Sequence, residues 1–155
     1  MASNGLTEKD VTAGDFEYAW KRLVNPATAA DYNYMLDCVV NANEIMAGEK
    51  DPSELAVKAV DDKTFEVTLT TDLPYFDELC AFPAMMPVRQ DIIEANGDQW
   101  TFDPSTYISN GPYKLTEWTH NSQIVMAKMR TITIMRTFGP DTLTFKLMDD
   151  TNVCF

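Results

Sequence analysis

The chain has 155 residues, which predicts one domain, or two only if both are very small. Its 45% hydrophobic and 11% aromatic content is typical of a globular protein with its own core. The 24 acidic and 12 basic residues leave a formal net charge of −12. This charge argues against nucleic acid and anionic membrane lipid as partners, because both are themselves negatively charged.

The first predicted element is a helix that begins after Thr12. Thr12 and Asp15 have the spacing of a capping box, in an acidic variant. The residue before a proline is pushed out of the α region, so the helix is expected to end at Asn25. Apolar residues between these points recur at helical spacing and are expected to share one buried face: Phe16, Ala19, Trp20 and Leu23.

A second helix is predicted from about Thr28, with Gly48 as its C-cap. A short turn with proline at its first position is expected at residues 51–54. The apolar stripe of the predicted second helix comprises Tyr32, Leu36, Val39 and Val40, followed by Ile45 and Met46.

From Ala56 onward the apolar period changes from 3.6 to 2. Residues 57–60 and 65–69 predict a hairpin around an Asp-Asp-Lys turn. Short helices are expected at residues 74–79 and 89–96, and Gly97 closes the second. The remaining pattern predicts a hairpin around residues 120–122 and a further strand at residues 143–147. This order of helices and strands predicts an α+β fold.

Few residues can support catalysis or metal binding. His120 is the only histidine, so no histidine-based metal cluster can form. The three cysteines, Cys38, Cys80 and Cys154, form no CxxC pair and are interpreted as separate core thiols. No phosphate-binding glycine loop, GxSxG motif or EF-hand loop occurs. The residues therefore predict no cofactor, no metal site and no catalytic signature.

Three features have both a functional and a structural interpretation. The acidic pairs at residues 61–62 and 149–150 could hold a cation or exchange protons, but Asp is favoured in turns such as the one predicted at the first pair. His120 could be a general base, but without a nucleophile tied to it a surface-loop role is favoured. A core role is likewise favoured over a ligand platform for a large aromatic set: Tyr32, Tyr34, Tyr75, Phe76, Phe82, Trp100, Tyr107, Tyr113 and Trp118.

The order of motifs along the chain is more specific than any one of them. The motifs are VTAGDFEYAWKRL at residues 11–23, NPATA at 25–29, IMAGEK at 45–50, LAVKAVDDKTFEVTL at 55–69, PYF at 74–76, GDQW at 97–100 and SNGPYKL at 109–115. In this order they resemble the small lobe of oligopeptide-binding proteins, the extracellular solute-binding components of peptide ABC importers.

The resemblance implies a periplasmic-binding-protein-like fold of class II with three lobes, helices packing on a mixed or antiparallel sheet. Residues 1–110 would form the small second lobe, and residues 111–155 would form strands returning to the first lobe. Family members are several times longer, so the chain is expected to be a fragment. No export signal is expected in it, whereas its full-length parent would act in the periplasm or at the extracellular face.

The resemblance implies a binding protein and no enzyme. Tyr32 and Phe82 fall at positions that face the side chains of the bound peptide, while Asn110 and Gly111 are expected to have structural roles. The implied partners are an oligopeptide ligand and, for the full-length parent, the permease subunits. A homodimer of the fragment is a further expectation.

Two alternatives stay open at this point. The same scaffold serves non-peptide solutes such as nickel or a sugar, because a fold does not determine its ligand. A truncated lobe could instead be a self-associating fragment without any ligand.

Residues 129–138 depart from the family pattern. Their sequence, MRTITIMRTF, is followed by family-like residues in register from Gly139. We interpret this segment as a compensated frameshift, in which one base is lost and another regained. The coding DNA tests the hypothesis, because shifting its frame by one base must restore a family-like segment.

Overall fold

The structure is a computed structural model that describes residues 9–129 and 139–148. These residues form two compact units, one of residues 9–90 and one of the described residues from Asp91 onward. The predicted boundary between residues 110 and 111 concerns the lobes of a longer protein and stays a prediction. The acidic pair at residues 149–150, Cys154 and most of the segment 129–138 lie outside the described residues.

Helix α1 (Ala13–Val24) begins the first unit, as predicted. The Asp15 carboxylate accepts hydrogen bonds from the Thr12 backbone N–H at 2.9 Å and from the Thr12 hydroxyl at 3.0 Å. Its second oxygen lies 3.2 Å from the Lys9 ammonium. Burial alone raises the pKa of Asp15, but these hydrogen bonds and the Lys9 charge outweigh it and lower that pKa. The helix start is therefore stabilised by an ionised carboxylate.

The prediction of a second helix from about Thr28 to Gly48 is wrong. A 3-10 helix at Asn33–Leu36 and α2 (Ala42–Met46) replace it. Ala29 and Asn41 interrupt it with φ angles of 49° and 72°, which no α-helix contains. Between them Val40 adopts extended pairing: its N–H donates to Thr68 O at 3.0 Å and its carbonyl accepts from the Ala56 N–H at 3.2 Å. These hydrogen bonds to distant residues replace the helix that the spacing of the apolar residues predicted.

The first hairpin is confirmed as antiparallel strands β1 (Val57–Asp61) and β2 (Thr64–Val67). The Asp61 carboxylate accepts from the Lys63 N–H at 2.8 Å and from the Thr64 hydroxyl at 3.0 Å, which is the predicted turn role. The expected proline turn before the hairpin is a 3-10 helix at Pro52–Glu54. After the hairpin, the first short helix is α3 (Phe76–Cys80), and a 3-10 helix at Pro83–Met85 follows it.

The core of the first unit lies between α1, the segments that follow it and the β1–β2 hairpin. Glu17 ties α1 to the hairpin, because its Oε2 accepts from the Ala59 N–H at 2.7 Å. The buried side chains are mainly aliphatic, as expected where apolar burial stabilises the fold by about 1.5–3 kcal/mol per large side chain. They include Trp20, Leu23, Val24, Leu36, Val39, Ala42, Ile45, Leu55, Val57 and Met85.

The second unit contains α4 (Gln90–Asn96), whose first residue belongs to the preceding unit, and a 3-10 helix at Gly97–Thr101. Gly97 has φ +54°, in agreement with its predicted role at the end of α4. Three antiparallel strands follow in the order β3-β4-β5: β3 (Tyr113–Thr119), β4 (Gln123–Lys128) and β5 (Thr142–Lys146). The second hairpin and the last strand are therefore confirmed, and so is the α+β class.

The predicted core role of the aromatic set is confirmed only for Phe76 and Phe82, which are half-buried and pack against the core of the first unit, and it is wrong for the exposed tyrosines. None of its nine members is fully buried, and Tyr32, Tyr34, Tyr75 and Tyr107 are exposed. Several of these side chains lie on turns and 3-10 helices, whereas Trp20 and aliphatic residues fill the core of the first unit.

Within the described ranges, the helices are all too short or too polar to cross a membrane.

Candidate functional site

Three aromatic side chains of the first unit meet at its surface; we call Tyr32, Tyr34 and Phe82 the aromatic patch. The ring centroids of Tyr32 and Phe82 are 5.3 Å apart with planes tilted by 53°, and those of Tyr32 and Tyr34 are 6.1 Å apart. Tyr32 is 49% exposed and Tyr34 54%, while Phe82 is half-buried. The two residues predicted to face a ligand are thus brought together.

Tyr34 completes the patch; it belongs to the aromatic set of the sequence but is not one of the two residues predicted to face the peptide. Tyr34 stands two residues after Tyr32, and a helical interpretation of the segment places the two side chains on different faces. The 3-10 turn changes this arrangement: Met35 N–H donates to Tyr32 O at 3.2 Å and Asp37 N–H donates to Tyr34 O at 3.1 Å. Leu36 in the same turn is fully buried and anchors it to the core.

The Tyr32–Tyr34 side of the patch is also tied to the chain after β2. The carbonyl of Cys38 accepts from the Thr70 N–H at 2.8 Å and from the Thr70 hydroxyl at 3.1 Å. Val39 pairs with Leu69 in an isolated antiparallel bridge. These contacts fix the backbone on which the two tyrosines stand.

Phe82 is the N-cap residue of the 3-10 helix at Pro83–Met85, and its backbone is fixed by hydrogen bonds on both sides. Its N–H donates to Leu79 O at 3.0 Å, and its carbonyl accepts from the Met85 N–H at 2.9 Å. The Met85 carbonyl in turn accepts from the Trp20 indole N–H at 3.0 Å in a buried hydrogen bond. A chain of short contacts therefore connects Phe82 to α1 through the core.

The patch can make apolar and stacking contacts with a ligand, and its two tyrosine hydroxyls can donate or accept hydrogen bonds. Exposed aromatic rings that touch one another, rather than lying singly, are typical of a recognition surface. The patch contains no acid, base or nucleophile for bond-making chemistry. Its arrangement fits the binding of side chains.

The two described cysteines lie beside this region as free thiols. Cys38 is buried and Cys80 is half-buried against the same core, which confirms the prediction of core thiols for both. Burial raises the pKa of each thiol, and the neighbouring Asp37 and Asp77 charges raise them further. Both groups are thus kept in the protonated, poorly nucleophilic form.

The remaining candidates have structural positions. His120 is exposed in the turn between β3 and β4, as predicted, and its ring lies 4.4 Å from that of Trp118. In the loop before β3, the Gly111 N–H donates to the Ser109 hydroxyl at 3.0 Å. Across residues 9–129 and 139–148, no three His, Cys, Asp or Glu side chains are grouped so that they could hold a metal ion.

The chain is similar in sequence and in structure to several bacterial binding proteins. The chain is 44% identical over 120 residues to the periplasmic oligopeptide-binding protein OppA of Salmonella typhimurium, covering 76% of this chain and 22% of the relative. It is 38% identical over 120 residues, with the same coverage, to a probable deoxycholate-binding periplasmic protein of Escherichia coli. The structure of Haemophilus influenzae OppA in complex with RPPGFSPFR superimposes with a TM-score of 0.84 at 38% identity, over 94% of this chain and 28% of that one.

The chain spans about a fifth of the length of the curated relatives it matches. The family match itself extends over residues 3–152. The α+β fold agrees with this match, and the match shows that the chain belongs to the family described as bacterial extracellular solute-binding proteins, family 5 Middle.

Proposed function

We propose that this chain is part of the solute-binding component of an ABC-type oligopeptide importer. Its role is binding without catalysis: it lines one side of a peptide site and takes part in delivering peptide to the permease, in the periplasm or at the extracellular face. The aromatic patch carries the proposal, because the family resemblance implies that Tyr32 and Phe82 face the peptide, and their rings lie 5.3 Å apart at the surface of the first unit. Relatives named as oligopeptide-binding proteins support it.

The patch sets the expected strength and specificity of binding. It offers side-chain contacts, whereas peptide recognition draws much of its affinity from main-chain hydrogen bonds. The chain spans 28% of a solved relative in complex with RPPGFSPFR, so we assign most main-chain contacts to parts of the parent beyond this chain. Weak binding with a preference for apolar or aromatic side chains is the expected behaviour of the chain alone.

Native mass spectrometry of the chain with a mixed tri- to pentapeptide library tests the proposal. A peptide retained in the spectra is then titrated calorimetrically against Phe82→Ala and Tyr32→Ala. We expect each substitution to weaken binding by about tenfold, or about 1.4 kcal/mol, as lost aromatic contacts do. Tyr75→Ala is the matched control, because Tyr75 is 52% exposed and has no ring contact with the patch. Equal affinities for the Phe82 and Tyr75 variants would contradict the assignment of the site.

One observation favours a second candidate, a non-peptide apolar solute. A relative at 38% identity is named a probable deoxycholate-binding protein, and exposed aromatic rings can also make apolar contacts with a steroid ring system. Deoxycholate in the same calorimetric titration separates the two. Binding of deoxycholate that depends on Phe82, without retained peptides, would favour this candidate. The same spectra test the predicted homodimer, which stays a prediction.

A further inference from the structure

A concave site lies in the first unit, apart from the side chains of the aromatic patch. It is a surface cavity of about 310 Å³, which we call the basic pocket. This volume lies near the lower end of the range for small-molecule sites, about 300–1,000 Å³. Its lining residues are Tyr18, Lys21, Arg22, Asn25, Thr28 and Pro52.

One face of α1 and the residue after it build the larger wall. Tyr18, Lys21, Arg22 and Asn25 follow the spacing i, i+3, i+4 and i+7, so they lie on a single helical stripe. The stripe is opposite the buried stripe that contains Ala19, Trp20 and Leu23. Thr28 and Pro52, from two different 3-10 helices, form the other wall.

The pocket is positively charged in a strongly acidic chain. Two of its six lining residues are cations and none is acidic, although acidic residues outnumber basic ones 24 to 12 in the chain. Lys21 is paired with Glu17 at 2.6 Å, so most of its charge is compensated. The C-terminal end of a helix adds about half a negative charge, which offsets only part of the remaining Arg22 charge. Among the six lining residues, the net charge stays positive.

Arg22 supplies the group that is free to bind. Its side chain is half-buried and, among the described residues, has neither an ion pair nor a hydrogen bond. A guanidinium presents donors in a planar fork that matches two oxygens of a carboxylate or phosphate. Asn25 uses its Oδ1 to accept from the Ala27 N–H at 3.0 Å, so its amide hydrogens remain as donors, and Thr28 adds a hydroxyl.

We propose that the basic pocket binds the carboxylate or phosphate group of a small molecule, with the Arg22 guanidinium as the main contact. Both groups are oxyanions that accept paired hydrogen bonds, and the lining residues supply donors without a competing carboxylate. The proposal is independent of peptide binding, because it shares no residue with the aromatic patch.

Amide NMR of the full chain tests this site. Inorganic phosphate and acetate are titrated separately, with sodium chloride holding the ionic strength constant so that general screening does not change. We expect saturable shifts confined to amides of residues 18–28 and to those around Pro52. The anion that saturates at the lower concentration identifies the preferred group, and saturation by either one supports the pocket.

Variants of Arg22 make the test specific. Arg22→Ala is expected to weaken binding by at least about tenfold, and Arg22→Lys by less, because it keeps the charge but loses the fork. Lys63→Ala is the control: it removes an exposed cation in the β1–β2 turn and is expected to leave the affinity within about twofold.

Two results would overturn the proposal: shifts that stay linear up to about 0.1 M of both anions, or equal affinities for the Arg22→Ala and Lys63→Ala variants. Peptide titrations of the same variants keep the two sites distinct. Loss of anion binding in Arg22→Ala is expected to leave any effect of peptides on the aromatic patch unchanged.

Discussion

Trp20→Phe is the substitution that best tests how the core supports the aromatic patch. Trp20 is 3% exposed, and its indole N–H donates to the Met85 carbonyl at 3.0 Å in a buried hydrogen bond. Phenylalanine keeps an aromatic ring next to Phe65, whose centroid lies 5.1 Å away in an edge-on arrangement. The substitution therefore removes the donor and part of the ring volume while preserving most apolar contacts.

The expected loss of stability has two parts. The buried Met85 carbonyl is left without its partner, which costs about 1–3 kcal/mol. The smaller side chain leaves a cavity of about 40 Å³, which at about 24 cal/mol per Å³ costs about 1 kcal/mol more. We therefore expect the free energy of unfolding to fall by about 2–4 kcal/mol, so the urea midpoint falls by about 1–2 M for an ordinary dependence on urea.

Urea titrations followed by far-UV circular dichroism measure this change. Trp118→Phe is the control, because Trp118 is half-buried and its indole N–H has no hydrogen-bond partner in the described part of the chain. We expect the control to lose less than about 1 kcal/mol, since only apolar contacts change. If the two variants lose the same stability, the Trp20–Met85 hydrogen bond does not hold the Phe82 segment as argued.

Further predictions concern titration, thiol chemistry and backbone conformation. The lowered pKa of Asp15 stabilises the fold at pH values above the ordinary Asp range, and this contribution is lost as the pH falls through the pKa of the folded state. In Asp15→Asn, the free energy of unfolding measured by urea titration should therefore fall less steeply as the pH is lowered into the acid range. The raised pKa values of Cys38 and Cys80 leave less thiolate, so both should react with iodoacetamide more slowly than glutathione at pH 8, measured by mass spectrometry of their peptides. Gly97→Ala should destabilise the chain by about 1 kcal/mol, because φ is +54° there, whereas Gly14→Ala in α1 should stabilise it by about 0.5–1 kcal/mol. Thermal melts of the two glycine variants that shift in the same direction would contradict that reasoning.

The elements predicted correctly have signals carried by neighbouring residues. In α1 the capping box at Thr12 and Asp15, the apolar stripe and the proline after Asn25 all indicate the same helix. The β1–β2 and β3–β4 hairpins likewise combine alternating apolar residues with polar turn residues. Agreement among several local signals leaves little freedom for the rest of the chain to change the outcome.

The segment from Thr28 to Met46 shows the opposite case. Its apolar spacing suits a helix, but the backbone of Val40 pairs with Thr68 and Ala56, which are distant in the sequence. Left-handed residues at Ala29 and Asn41, on either side of Val40, are incompatible with a continuous helix there. A periodic pattern cannot reveal hydrogen-bond partners of this kind, because they depend on where the hairpin packs.

The sequence by itself determined the composition-based class, the main helix, both hairpins and, through the order of its motifs, the family. Only the tertiary structure decided that Tyr34 joins Tyr32 and Phe82, and that Arg22 faces a cavity together with Thr28 and Pro52. Capping and alternation are interactions between near neighbours and leave a mark in the sequence. Surfaces are assembled from residues far apart in the chain, and core packing between those segments sets their distances.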